Sequence, residues 1–194
     1  MITRVPERCV KCGRNDEFCA CRKVEAESEV APLTSERNMR ELSSLCESPI
    51  EVLMGSALVA RGEAGDQVAV WADDPEMDRM AQFSRKTTGE VVALVPQATA
   101  WARGKRYRLD FLVMVCRVGE QARSVAVECD GHDFHDRTKE QASADRARDR
   151  AIQSEGILVA RFTGADIHAD AMTCAQEAWQ MAGLFPKPPA KPTP

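Results

Sequence analysis

Glu128 and Asp130 stand two residues apart in VAVECDG, Val125 to Gly131, a run that otherwise reads as a buried β-strand. Successive strand side chains point to opposite faces, so the two carboxylates share one face and Cys129 takes the other. Asp110 interrupts a second apolar stretch, YRLDFLVMVC, whose pairing with the first brings a third carboxylate to the same edge of a sheet. Buried anions without partners are costly, so this arrangement calls for a compensating cation. Oxygen donors at this density suit Mg²⁺ or Mn²⁺. Such an ion activates water and neutralises charge in phosphodiester hydrolysis. The competing reading pairs the acids with Arg106, Arg108 or Arg161. Three acids on adjacent strands, then a glycine turn and a histidine, weigh against it.

His132 and His135 follow the Gly131 turn, next to the end of the acidic strand. A histidine there could protonate a leaving oxygen or hold a phosphate. His168 reads as a helix-surface residue. The segment ARGKRYR supplies Arg103, Lys105, Arg106 and Arg108 with no acid among them and a tyrosine between two of them. Such a cluster meets phosphates even on a chain of net charge −4. A solvated hairpin turn accounts for it equally well.

These residues need elements to position them. Ser48 reads as the N-cap of a helix from near Pro49 to Val59, with Glu51 in its first turn. Ile50, Leu53, Met54, Ala57 and Leu58 recur at helical spacing and are expected to face the core. The stretch from Asp66 to Glu90 reads as irregular. VVALVPQATAW (interrupted at Pro96), YRLDFLVMVC and SVAVEC read as three strands of an antiparallel meander. Thr138 and Gln141 form a capping box for a charged helix that Gly156 ends. In that helix Asp145 reaches Arg148, and Arg146 reaches Asp149, at i,i+3. The bland reading is a solvated helix, with Arg148 or Arg150 available to a nucleic-acid backbone. ILVARF reads as a buried strand, and a final helix runs from about Ala165 to Ala182 with Thr163 as its cap. The fold class is α/β: helix, three strands, helix, strand, helix around a mixed sheet.

Four of the eight cysteines crowd into CVKCGRNDEFCAC: Cys9 and Cys12, then Cys19 and Cys21. The first pair has zinc-knuckle spacing, and a structural four-thiolate Zn²⁺ is the first expectation. The chain thus divides into a cysteine-rich segment (1–30), an α/β domain (31–186) and a proline-rich tail (187–194). No signal peptide or spanning run is visible, and the expected location is the cytoplasm.

YRLDF, AVECDGHDFH and DRARDRAIQSEGILVARFTG together resemble the PD-(D/E)XK nuclease superfamily, in its small branch related to very-short-patch-repair endonucleases. The resemblance covers roughly Ser48 to Ile167. It implies a restriction-endonuclease-like core and Mg²⁺-dependent endonuclease activity on DNA, with RNA and the oligomeric state (a dimer included) left open. It implies that Asp110 and Glu128 hold the metal, with the Cys129 carbonyl completing its shell, and that Glu51 assists. Gln97 matches a glutamine that precedes the aspartate strand. Asp130 departs from the pattern, because the superfamily places a lysine there. Lys139 or His135 is then expected to supply the missing cation. The alternatives are a nucleic-acid-binding protein without catalysis and a structural interaction module, both on the same fold.

Overall fold

In this computed structural model the described residues are 34–63, 69–74, 78–85, 90–131 and 139–184. The chain divides after Pro32, and all of them belong to the unit Leu33–Pro194. The cysteine-rich segment and the proline-rich tail lie outside the described residues.

Two helices come first. Helix α1 (Glu36–Leu45), which the sequence reading did not anticipate, starts where the Ser35 side chain accepts the Asn38 N–H. Helix α2 (Pro49–Gly62) begins as expected, with Ser48 as N-cap and Pro49 in the first turn. It runs past Val59 to Gly62 and is buried on most of its surface, including Gly55, Ser56 and Val59. Close approach explains its glycines. A Cβ on Gly55 would stand 2.8 Å from Leu42 Cδ2, and one on Gly62 would stand 2.8 Å from Phe83 Cζ.

The strands are β1 (Val70–Asp74), β2 (Asp78–Arg85), β3 (Glu90–Pro96), β4 (Thr99–Ala102), β5 (Lys105–Arg108), β6 (Phe111–Cys116), β7 (Arg123–Asp130) and β8 (Ile157–Thr163). Helix α3 (Lys139–Ser154) lies between β7 and β8, and helix α4 (Gly164–Met181) follows β8. Six strands form one sheet in the order β1-β2-β3-β6-β7-β8. All pairs are antiparallel except β7 with β8, so the sheet is mixed. Strands β4 and β5 pair only with each other, as a separate ribbon.

Three expectations need correction. Residues read as irregular form β1 and β2, an antiparallel pair that extends the sheet and buries Trp71, Ala81 and Phe83. The two long runs around Pro96 and Asp110 are each broken. Gln97 adopts φ 49° after β3, and Asp110 lies just before β6 rather than within it. The chain between them folds out as the ribbon. Strand β8 is an edge strand, not a buried one, and leaves Leu158 exposed.

Helices α1, α2 and α4 cover one face of the sheet around a core containing Leu58, Phe83, Phe111, Val127 and Trp179. Phe83 and Trp179 meet edge to face at 6.5 Å, and the Trp179 indole N–H reaches the Leu58 carbonyl. A smaller core on the other face joins Ile152 of α3 to Ala126, Leu109 and the ribbon's Ala100. Gly156, at φ 82°, ends α3, and Thr163 with Asp166 forms the capping box of α4. Among the described residues no helix is long and apolar enough to cross a membrane.

Candidate active site

The register sets the acids. Phe111 pairs with Val127, so one further step along the two strands brings Asp110 to the level of Glu128. Asp110 Oδ2 accepts the Cys129 N–H at 2.7 Å, closing the start of β6 onto β7. Burial raises the Asp110 pKa, the Cys129 N–H opposes the rise, and the neighbouring Glu51 adds to it.

Glu51 is placed by its own cap. Ser48 Oγ accepts the Glu51 N–H, while the Ser48 hydroxyl donates to Glu51 Oε1 at 2.6 Å. Oε2 accepts the Glu47 N–H at 2.9 Å and Gln97 Nε2 at 2.7 Å. Gln97 thus has a definite role: its left-handed backbone turns its amide onto Glu51. Its Oε1 is buried without a hydrogen-bond partner. Neither Glu51 nor Asp110 forms an ion pair among the described residues.

Glu128 and Asp130 do. Arg148 of α3 grips Glu128 with two bonds, Nη1 to Oε2 at 3.0 Å and Nη2 to Oε1 at 2.8 Å. The same Nη2 donates to the Arg108 carbonyl. Burial raises the Glu128 pKa, and Arg148 pulls the other way. Asp130 Oδ1 receives Arg161 Nη1 at 3.3 Å, and Arg161 also makes two bonds to Asp149. The expectation that the acids lack arginine partners is therefore corrected for two of the three. Arg161 is one of the partners the competing reading named; Arg148 is not.

As a site residue, sequence reasoning offered Arg148 only as a nucleic-acid backbone contact, and missed its pairing with Glu128 and the part of Asp149. Their signal was the spacing Asp145, Arg148, Asp149 and Ile152, one face of a helix whose apolar end is Ile152. Charge made that face look solvated. The expected i,i+3 pairs within α3 give way to these contacts: Arg148 turns to Glu128, Asp149 to Arg161, and Arg146 Nε to the Ala142 carbonyl.

Two thiols border the acids. Burial, with Glu51 and Asp110 nearby, pushes the Cys46 thiol up to about 12. Burial pushes Cys129 up as well. In the free protein burial holds both thiols toward the neutral form. The charged donors beside them are carboxylate oxygens. Among the described residues, no three side chains of His, Cys, Asp and Glu converge closely enough to ligate one ion. The donor chemistry fits a hard cation. Glu128 is engaged by Arg148, whereas Asp110 Oδ1 has no hydrogen-bond partner among the described residues.

Of the basic residues, Arg108 is held by Glu47 through two bonds of 2.6 Å. Arg103, Lys105 and Arg106 are exposed on the ribbon and form no ion pair among the described residues. His168 is half-buried on α4, and Arg150 is exposed on α3. Lys139 opens α3. His132, His135, Thr138, Cys9, Cys12, Cys19 and Cys21 lie outside the described residues, as does the Lys139 side chain.

Compared with known proteins, the chain matches no protein-family model, no curated protein and no solved structure.

Proposed function

We propose that the chain is a metal-dependent endonuclease that hydrolyses phosphodiester bonds in DNA, on a core of the PD-(D/E)XK type. One observation carries the reading. Glu51 and Asp110 are carboxylates close enough to influence each other electrostatically, Asp110 lies level with Glu128 where inner strands β6 and β7 meet, and among the described residues no cationic side chain is paired to either of the first two. Hydrogen bonds from Gln97, Ser48, Glu47 and Cys129 fix them in place rather than neutralise them. The order α2, β3, β6, β7, α3, β8, α4 supports the core assignment.

Asp110 and Glu128 are the residues that would hold Mg²⁺ or Mn²⁺. Glu51 adds charge behind them, and the Cys129 carbonyl is the main-chain donor proposed beside them. A bound divalent ion supplies Lewis acidity and activates water. The protein's own groups do the rest. The Cys129 N–H orients Asp110, and Gln97 orients Glu51. Arg148 holds Glu128 in the free protein and is positioned to meet charge that builds on a phosphate. Lys139 or His135 would replace the lysine that Asp130 displaces. Arg103, Lys105 and Arg106 bind backbone phosphates.

A second reading, nucleic-acid binding without cleavage, is favoured by the arginine pairs at Glu128 and Asp130. These pairs satisfy two of the acids without an ion. Supercoiled plasmid incubated with the purified chain separates the two. Cleavage in Mg²⁺ that stops in chelator supports the endonuclease. Salt-sensitive binding with no cleavage in Mg²⁺ or Mn²⁺ selects the second reading.

A further inference from the structure

The ribbon presents an aromatic residue that the acid site does not use. Trp101 is 67 % exposed, whereas Trp71 and Trp179 are 5 % and 0 % exposed. It sits opposite Arg106 in the β4–β5 register. The alternation of the two strands sorts the ribbon into faces. Ala100, Ala102 and Tyr107 turn inward, and Ala100 and Tyr107 join the smaller core beneath. Thr99, Trp101, Arg106 and Arg108 turn outward. The ribbon is therefore anchored through its inner face, and the indole on its outer face is exposed.

Its surroundings are cationic. Arg103 and Gly104 are the two central residues of the hairpin, at φ 50° and 74°. This is the primed-turn conformation that Asn-Gly or Gly-Gly adopts with least strain. An arginine held in the left-handed region has a local cost that a turn alone does not require. Arg106 shares the outer face with the indole and Arg103 is exposed in the adjoining turn, and among the described residues neither forms an ion pair; Lys105, opposite Ala102, is exposed on the other face, and Arg108 is committed to Glu47. Arg148 bonds both the Glu128 carboxylate and the Arg108 carbonyl, so the base of the ribbon lies one side chain from the acids.

We infer that the β4–β5 ribbon reads unpaired nucleic acid: Trp101 stacks on an extruded or single-stranded base while Arg103 and Arg106 hold the flanking phosphates. The inference rests on the nucleic-acid partner of the proposed function but not on catalysis. A flat indole flanked by cations matches the pairing of stacking platform and phosphate contacts that single strands need. The bases of a regular duplex are already stacked on both faces and offer the indole nothing comparable.

The test uses the full chain in chelator, so that binding is read without cleavage. A fluorescein-labelled single-stranded oligonucleotide, its duplex and polyglutamate are the probes. Trp101→Ala is expected to weaken single-strand binding by about tenfold or more, the loss of one stacked base. Trp101→Phe should retain most of the affinity. Arg106→Ala should lower the salt dependence of binding by about one phosphate contact. Since Trp101 is the exposed indole, iodide quenching of wild-type fluorescence should fall on saturation with the single strand. Melting curves confirm that each variant is folded.

Unchanged single-strand affinity in Trp101→Ala overturns the inference, as does quenching that the oligonucleotide leaves unaltered. Equal protection by polyglutamate overturns it in favour of an acidic protein partner. If the wild type cleaves plasmid in Mg²⁺ and Trp101→Ala binds like the wild type, the ribbon inference alone fails. If Trp101 stacks in chelator and no cleavage occurs in Mg²⁺, the nuclease reading alone fails.

Discussion

Among the described residues, Arg148→Met removes the only cation that touches Glu128 within 3.0 Å while keeping much of the side chain's volume. The Glu128 and Arg148 side chains are 9 % and 21 % exposed, so the pair is largely shielded from water. Breaking one partner of a buried pair costs about 3–5 kcal/mol, because the other charge is left without compensation. Partial exposure of Arg148 places this site near the low end, about 3 kcal/mol. For a chain of this size that is a fall in Tm of roughly 6–12 °C. The sign with pH follows from Glu128. Its folded pKa lies above the ordinary carboxylate value, so its ionisation opposes folding, and stability falls as pH rises through the window above that ordinary value. Losing Arg148 extends the window upward. The gap between variant and wild type should therefore shrink toward acid pH, where Glu128 is protonated in both. Glu128→Gln alone should cost less, about 1–2 kcal/mol. The double variant should recover part of the loss. Mg²⁺ supplies the decisive arm. If the acids are a cation site, the ion replaces the missing guanidinium and raises the Tm of Arg148→Met more than that of the wild type. At about ten times its dissociation constant the ion adds ~1.4 kcal/mol. Thermal unfolding by circular dichroism across pH, with and without Mg²⁺, measures all of this. A loss under 1 kcal/mol that is the same at every pH, or a Tm indifferent to Mg²⁺, would refute the reasoning.

Asp110→Asn should raise the Tm at neutral pH while eliminating cleavage, because the amide oxygen still accepts the Cys129 N–H and the repulsion from Glu51 disappears; a lower Tm or retained cleavage contradicts this. Gly62→Ala should destabilise by about 1–3 kcal/mol, since the new methyl meets the Phe83 ring in a full core; chemical denaturation measures it, and a neutral outcome would mean that the ring moves freely. Elemental analysis of protein purified with reductant should find close to one zinc per chain, lost when Cys9 and Cys12 are both replaced by serine, with the α/β unit still folded by circular dichroism.

The parts legible in the sequence were those that local chemistry decides. Ser48 and Pro49 start α2 because a hydroxyl cap and a residue without an N–H satisfy that end whatever surrounds it. Gly156 ends α3, and Thr163 begins α4, for equally local reasons. Strand alternation placed Glu128 and Asp130 on one face. What escaped depended on partners distant in the chain. Strands β1 and β2 carry many charged residues, and what organises them is pairing with each other and, for β2, with β3. The ribbon arises because Gln97 takes a left-handed conformation, a turn that no glycine announces. Arg148 and Asp149 lie on α3 at core-facing spacing, but charged residues there look solvated until Glu128 and Arg161 are seen opposite them. The acids were found readily, and Arg161 was named among their possible partners; Arg148 as the partner of Glu128 was not.

The measurement closest to the central claim is single-turnover cleavage of end-labelled DNA by the wild type and Asp110→Asn, purified identically. Mg²⁺-dependent cleavage by the wild type, abolished in chelator and lowered at least about a hundredfold by the substitution, is the expected result. No cleavage by the wild type in Mg²⁺ or Mn²⁺, or equal cleavage by both proteins, would contradict the assignment of Asp110, Glu128 and Glu51 as a hydrolytic centre.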